Sequence, residues 1–203
     1  MSLRAELIAP TELIPGFAIL LPEGWGSFDG DQGALRGRLT EALAALTPAQ
    51  RTLLAPRLEE LVTTAAENAE AGNVIRTFAQ QSTPADAFLP LSLVASRLEA
   101  PVGSTIAALG AQLIAANGAA PLDETGTILR WSTTSQTRVD DAAIAIETVN
   151  YLLPVPESPT RGLLFQAGIL RGADGAAVDE DGITAMSALC DAIVSTVRWR
   201  RDA

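Results

Sequence analysis

The hydrophobic positions along the chain follow two periods, which predict strands in some segments and helices in others. Short apolar or alternating runs bounded by Pro, Gly or Asn are typical of strands. These runs are 17–21, 74–81, 88–97, 127–134, 142–153 and 162–170. Apolar residues that recur every three or four positions predict helices. The helical segments are 32–71 (a helix pair or one broken helix), 104–117 and 180–197.

Proline and glycine refine this assignment. Residues 1–16 include Pro10 and Pro15 and predict an extended arm, and the glycine-rich segment 26–33 predicts a loop. Pro90 has no N–H for a strand ladder, so its strand is expected at an edge or at a bulge. By contrast, 162–170 is apolar on both faces, which favours a central strand.

Together these elements predict a single α+β domain over residues 1–203. Because consecutive strands are joined by short turns, the sheet is expected to be mainly antiparallel, with the helices outside it. The fold class is therefore a central sheet of about six strands with helices on both faces, an α/β/α sandwich. No Pro/Ser-rich linker is long enough to divide the chain into two domains.

The composition excludes most catalytic chemistry. There is no His, all 14 basic residues are Arg, and Cys190 is the sole cysteine. Imidazole-dependent triads, lysine Schiff bases and all-cysteine metal sites therefore cannot be built from this chain. We predict that the protein is not an enzyme, with no catalytic residue and no cofactor.

The net charge limits the choice of partner. A charge of -10 and a pI near 4.4 argue against nucleic acid and against an anionic membrane surface. The apolar runs are too short to span a bilayer, and the first 16 residues lack the features of a signal peptide. A lone cysteine also favours a reducing compartment, so the expected location is the cytoplasm.

Acidic clusters raise the question of metal binding. In the loop that starts at Asp29, an EF-hand would require oxygen ligands at Gly33 and Thr40, and neither supplies the side chain needed. The acidic stretch 174–181 precedes a predicted helix, whose dipole it complements. We predict no metal site in either loop. The pair Asp140–Asp141 and nearby Glu147 likewise fit turn and strand positions better than acid–base catalysis.

The three tryptophans are candidate anchors for a partner, because tryptophan is enriched at binding hot spots. Trp199 follows the last helix beside Arg198, Arg200 and Arg201, the tightest basic cluster of the chain. Trp25 ends the first apolar run. We predict a partner-binding surface that contains Trp199, Arg198, Arg200 and Trp25. Core packing is the alternative for each tryptophan, and Cys190 is expected as a small buried residue on its helix.

Three segments, taken in order, resemble the Mog1/PsbP-like family of α/β/α sandwich proteins, in particular its small actinobacterial members. They are Pro15–Trp25 (PGFAILLPEGW), the strand pair YLLPVP at 151–156 with LLF at 163–165, and Leu189–Trp199 (LCDAIVSTVRW). The resemblance implies an antiparallel sheet flanked by helices and a protein-binding or accessory role. It transfers no catalytic residue, and the segment 32–71 departs from the family pattern.

The sequence thus favours a non-enzymatic interaction or accessory protein, an adaptor whose partner is another protein, with a homodimer included. The alternative is a small-ligand or carboxylate-metal binding protein. A carboxylate-based hydrolase is a third reading, which would require two acids facing each other about 5–9.5 Å apart.

Overall fold

A computed structural model describes residues 3–11, 14–29, 73–81, 89, 91–139, 142–173, 176–177 and 179–200. The predicted helical segment 32–71 lies outside these residues, as do residues 30–33 of the predicted loop and the pair Asp140–Asp141. All statements on the fold below refer to the described part of the chain.

The described elements are eleven strands and two helices. The strands are β1 (Leu3–Ile8), β2 (Phe17–Pro22), β3 (Trp25–Asp29), β4 (Val74–Gln80), β5 (Leu91–Glu99), β6 (Ala120–Pro121), β7 (Leu129–Val139), β8 (Ala142–Pro154), β9 (Arg161–Ala173), β10 (Ala176–Ala177) and β11 (Arg198–Trp199). The helices are α1 (Ile106–Asn117) and α2 (Glu180–Ser195). The fold is therefore α+β, as predicted.

The larger sheet has the strand order β3-β4-β5-β9-β8-β7-β6, and the short strand β10 pairs with β9. Every pairing is antiparallel. The predicted direction of the strands and the central position of 162–170 are confirmed. The predicted count of about six strands was too low for this path of seven, because β3 and the two-residue strand β6 were not recognised. The predicted strand 17–21 belongs to the second sheet.

A second sheet of three strands has the order β1-β2-β11. Its first strand corrects the prediction of an extended arm, since Leu3 pairs with Pro22 and Ile8 with Phe17 in a continuous ladder. Pro10 lies beyond the end of β1, so it removes no hydrogen bond from this ladder.

Two further predictions were wrong for related reasons. Residues 25–29, which the predicted loop overlaps, form β3 because they pair with β4 from Trp25 opposite Gln80 to Asp29 opposite Arg76. The strand near Pro90 is an interior strand, between β4 and β9. It begins at Leu91, so the residue without an N–H precedes the ladder instead of interrupting it.

The core lies between the larger sheet, the three-stranded sheet and α2. Phe165 on β9 is fully buried and contacts Phe17 edge-on at a centroid distance of 6.0 Å, and Phe78 at 6.3 Å. The buried residues of α2 recur at helical spacing, which confirms the predicted apolar stripe. They are Ile183, Met186, Ser187, Cys190, Ile193 and Val194.

Helix α1 is held by its two ends and by a close contact with the larger sheet. The Thr105 side chain accepts a hydrogen bond from the Ala108 N–H at 3.1 Å, and Gly118 ends the helix in the left-handed conformation with φ 65°. Gly110 lies so near Leu129 that an added Cβ would come within 2.9 Å of Leu129 Cδ1. Neither described helix has the length and apolar character needed to cross a lipid bilayer.

Candidate partner-binding surfaces and a buried polar cluster

Trp199 lies at the edge of the core. It belongs to β11, where it pairs with Phe17 across the ladder, and its ring packs edge-on against the Phe17 ring at 6.1 Å and 77°. The side chain is half-buried. Trp199 therefore has both a packing contact and an exposed part, so the structure is compatible with the two roles considered for it.

Arg198 and Arg200 are exposed and lie close to Trp199. The Arg198 guanidinium donates to the carbonyl oxygens of Ser195 and Val197, at 2.8 Å and 2.7 Å. Since these carbonyls close the C-terminal end of α2, a cation there interacts favourably with the helix dipole. The main-chain N–H of Arg200 donates to the Gly16 carbonyl at 2.8 Å, which extends the β11–β2 ladder.

Trp25 is placed differently from the other three predicted residues. It is 4% exposed and forms part of the hydrophobic core. It follows a tight turn in which Gly24 adopts φ 80°, a conformation that favours glycine. With so little of its ring accessible, Trp25 packs in the core, which was the alternative reading for this residue.

The three-stranded sheet carries an exposed apolar surface that sequence reasoning missed. Side chains alternate along β1, and Leu3, Ala5 and Leu7 all point away from the core, with Leu3 57% and Leu7 65% exposed. Opposite them on β2 are Pro22, Leu20 and Ala18. We call this surface, Leu3, Ala5, Leu7, Ala18 and Leu20, the outer face. The signal was the alternation LRAELI, which the nearby prolines obscured.

A polar cluster connects α2 to the larger sheet. The fully buried Tyr151 donates its hydroxyl hydrogen to Asp191 Oδ1 at 2.7 Å, and Arg130 Nε donates to the same oxygen at 3.1 Å. Burial, and then the hydrogen bond to Asp191, raise the pKa of Tyr151 far above its ordinary value. The phenol therefore stays protonated and acts as a structural hydrogen-bond donor.

Cys190 lies beside this cluster and is fully buried, as predicted. Burial is the main cause that raises the pKa of its thiol to about 12, with a smaller contribution from the Asp191 charge. The nucleophilic form of cysteine is the thiolate. A buried thiol with this pKa is a packing residue and not a reactive group.

This pKa predicts a loss of stability at alkaline pH. In the unfolded chain the thiol ionises near its ordinary pKa of 9.0, whereas in the folded chain it ionises only near 12. The unfolded state thus releases its proton first, and the free energy of unfolding should fall by about 1 kcal/mol per pH unit between these values. Urea unfolding at pH 8 to 11 measures the slope. Cys190→Ala should flatten the slope below pH 10.0, above which the raised pKa of Tyr151 adds a loss of its own. An unchanged slope between pH 8 and 10 would contradict the assignment.

Glu147, considered above for acid–base catalysis, is held by an arginine. Arg171 Nη1 donates to Glu147 Oε2 at 2.5 Å, and the other terminal nitrogen of Arg171 contacts Glu180. The hydrogen bond to Glu147, followed by that to Glu180, raises the pKa of Arg171 above its ordinary value. These ion pairs connect β8, β9 and the first turn of α2, which is a structural role.

The acidic loops are only partly described. Glu180 and Asp181 occupy the first turn of α2, where acidic residues complement the helix dipole as expected. Asp31 and Asp174 lie outside the described residues. Within the described ranges, no group of three or more Cys, Asp or Glu side chains could hold a metal ion. The carboxylate-metal alternative stays a prediction.

A shallow cleft of about 280 Å³ lies between α1 and strands β7 and β8. Its lining includes Ile106, Gly110, Ile114, Leu129, Leu152 and Pro154. None of the lining residues is charged, and Thr127 is the one lining residue with a polar side chain.

Similar proteins are found among the solved structures. The sequence matches no protein-family model and no curated protein. Two solved structures are similar over 98% of this chain and 96% of their own, at 10% identity each. One is a mutant of the protein Mog1, with a TM-score of 0.49, and the other is the Ran-binding protein Mog1p of Saccharomyces cerevisiae, with a TM-score of 0.46.

Proposed function

We propose that this chain is a non-enzymatic protein-binding module, an accessory or adaptor protein. The observation that carries the proposal is the outer face, where two leucines are more than half exposed on an edge strand. An edge strand offers unpaired main-chain groups to another strand, and exposed apolar side chains beside it add contact area. A protein partner can use both features at once.

The groups capable of chemistry support a binding role over catalysis. Cys190 is buried and protonated, and Tyr151 already donates to Asp191. Glu147 is engaged by Arg171. Each of these side chains stabilises the fold through a contact that catalysis would have to break.

The predicted partner-binding residues adjoin the outer face. Arg198 is paired with Ala18 across the β11–β2 ladder, so its side chain lies on the same face as Ala18. Arg200 follows two residues later and is exposed. We therefore retain Arg198 and Arg200 as the basic rim of the partner surface, and we omit Trp25. Trp199 packs against Phe17 on the core side of β11, so it stays a candidate only through its exposed part.

Three broader expectations accompany this proposal. The chain forms one domain over residues 1–203. We expect helices on both faces of the larger sheet. In support, α2 accepts a hydrogen bond from Tyr151, and α1 lines a cleft together with the neighbouring Leu152, which alternation places on the opposite face. The single buried thiol accords with a cytoplasmic location.

The rim residues give a direct test with the double variant Arg198→Ala/Arg200→Ala. If a partner contacts the rim, the immobilised variant should capture that partner from lysate of the source at least about tenfold less than the wild type does, since rim charges accelerate association. Quantitative mass spectrometry measures the captured protein. Loss of the Arg198 contacts should cost about 1 kcal/mol of stability, so both proteins are compared well below their melting temperatures.

The matched control is Gln112→Ala, an exposed substitution on α1 away from the rim. It should capture as much partner as the wild type. Equal capture by the double variant and the control would remove Arg198 and Arg200 from the proposed surface. The absence of any stoichiometric partner, including a second copy of the chain on a sizing column, would remove the binding function itself.

A further inference from the structure

A hydrogen bond made by β2 determines which main-chain groups of β1 point away from the three-stranded sheet. The Leu20 N–H donates to Thr196 Oγ1 at 2.9 Å, so it points towards β11 and away from β1. In an antiparallel ladder, hydrogen-bonded and non-hydrogen-bonded pairs alternate. The pair Ala5–Leu20 is therefore non-hydrogen-bonded, and the N–H and C=O of Ala5 point away from β2.

The same alternation applies to the whole strand. Leu3 and Leu7, two residues to either side of Ala5, also direct their N–H and C=O groups to the open edge. Among the described strands, β1 pairs only with β2. Within the described part of the chain, the main chain of Leu3, Ala5 and Leu7 on this edge has no strand beside it, so the edge can accept another antiparallel strand. The side chains of the same three residues are exposed.

The sequence of β1 is complementary to itself when read in the opposite direction. In an antiparallel pair centred on Ala5, Leu3 of one copy lies opposite Leu7 of the other, and Arg4 lies opposite Glu6. Each outward-facing residue meets an outward-facing residue, so each pair can exchange both of its main-chain hydrogen bonds. Opposite charges across a ladder are favourable, as are apolar pairs on one face.

Neighbouring registers lack this complementarity. A shift by two residues in one direction places Arg4 opposite Arg4 of the second copy, and the shift in the other direction places Glu6 opposite Glu6. Like charges directly opposite each other destabilise a strand pair. A shift by one residue would set outward-facing groups against inward-facing ones and lose the hydrogen bonds. The charge pattern therefore selects the register centred on Ala5.

We propose that the partner of the outer face is a second copy of this chain, bound by antiparallel pairing of the two β1 strands about a two-fold axis at Ala5. The inference rests on the proposed binding function and names its partner. A two-fold interface uses the same surface on both copies, so that surface must be complementary to itself. The β1 strand meets this requirement. The three-stranded sheets of the two copies then form one continuous sheet, with the leucines of both outer faces in contact.

Charge reversal at Arg4 and Glu6 tests the register. Each of the variants Arg4→Glu and Glu6→Arg places like charges opposite each other on both sides of the axis, and each should raise the dimer dissociation constant about tenfold or more. The double variant Arg4→Glu/Glu6→Arg restores opposite charges and should restore the dimer. Light scattering coupled to size exclusion measures the mass across a range of protein concentrations.

Mixing the two single variants gives the sharpest result. The Arg4→Glu chain carries two acids and the Glu6→Arg chain two bases, so together they should form a heterodimer although neither forms a homodimer. The matched control is Glu23→Arg, an exposed charge reversal in the turn after β2, which should leave the wild-type dimer intact. Circular dichroism checks that each variant is folded, since Glu6 accepts from Arg4 of its own strand at 2.8 Å and from Ser27 at 3.3 Å.

Ala5→Pro provides a second route if charge reversal affects folding. It removes an N–H that points to the open edge, and proline is tolerated on an edge strand in this position. The variant should be a folded monomer. A wild-type chain that stays monomeric but captures another protein would overturn the dimer and leave the binding function standing. A wild-type dimer unaffected by charge reversal and by Ala5→Pro would also overturn the β1 interface.

Discussion

Replacing Phe165 by alanine is expected to lower the free energy of unfolding by about 3–5 kcal/mol, the usual cost of truncating a buried phenylalanine. Phe165 is fully buried on a central strand of the larger sheet. Its ring contacts Phe17 of the three-stranded sheet at 6.0 Å and Phe78 of β4 at 6.3 Å. The substitution therefore removes the aromatic contact between the two sheets and leaves a cavity in its place.

Urea unfolding followed by circular dichroism measures this loss, at one fixed protein concentration because association changes apparent stability. The control is Val102→Ala, whose side chain is fully exposed in the segment before α1. It should change the free energy by no more than about 0.5 kcal/mol. A loss below about 1 kcal/mol for Phe165→Ala would mean that the two sheets do not share a core at this residue.

The elements that could be predicted from the sequence are those whose own apolar spacing identifies them as a helix or a strand. The apolar stripe of α2 extends from Ile183 to Val194, and the apolar run of β9 is broken only by Gln166. The buried positions of each element recur at a fixed spacing, so the local pattern records them. The α+β class and the antiparallel direction of the strands could also be predicted, because both follow from the order of the elements along the chain.

The elements that were missed depend on distant partners. β3 is a strand because it pairs with β4 from Trp25 opposite Gln80, and the local glycines gave a stronger signal for a loop. β1 contains charged residues and is followed by Pro10, so it was predicted as an arm, and only its ladder with β2 makes it a strand. Strand formation is decided by such pairing more than by local preference.

The candidate partner-binding residues likewise divide into those that local sequence can indicate and those that depend on distant partners. Trp199 and Arg198 could be selected because aromatic and basic residues adjoin each other in the sequence. The outer face could not be predicted, because the sequence does not reveal which of the two alternating sets of β1 side chains faces the core. The bond between Tyr151 and Asp191 joins residues 40 positions apart, on a strand and a helix. No local pattern predicts that contact.

Asp191→Ala is the second substitution expected to have a large effect, a loss of about 2–3 kcal/mol in the free energy of unfolding. Asp191 Oδ1 accepts from Tyr151 at 2.7 Å and from Arg130 at 3.1 Å. Because Tyr151 is fully buried, removal of the acceptor leaves its hydroxyl without a partner in the protein. Most of the loss comes from that hydroxyl, since the ion pair with Arg130 is about one third exposed and contributes little.

A double-mutant cycle separates these contributions. Tyr151→Phe removes the buried hydroxyl and should cost about 1–1.5 kcal/mol by itself, because Asp191 keeps its contact with Arg130 and with solvent. In the Tyr151→Phe background, Asp191→Ala should then cost less than about 1 kcal/mol, which gives a coupling energy of about 1 kcal/mol or more. Asp191→Asn keeps an acceptor oxygen and should lie between the wild type and Asp191→Ala. If Asp191→Ala costs the same with and without the Tyr151 hydroxyl, the hydrogen bond between them does not stabilise the protein, and the attachment of α2 to β8 must rest on apolar packing alone.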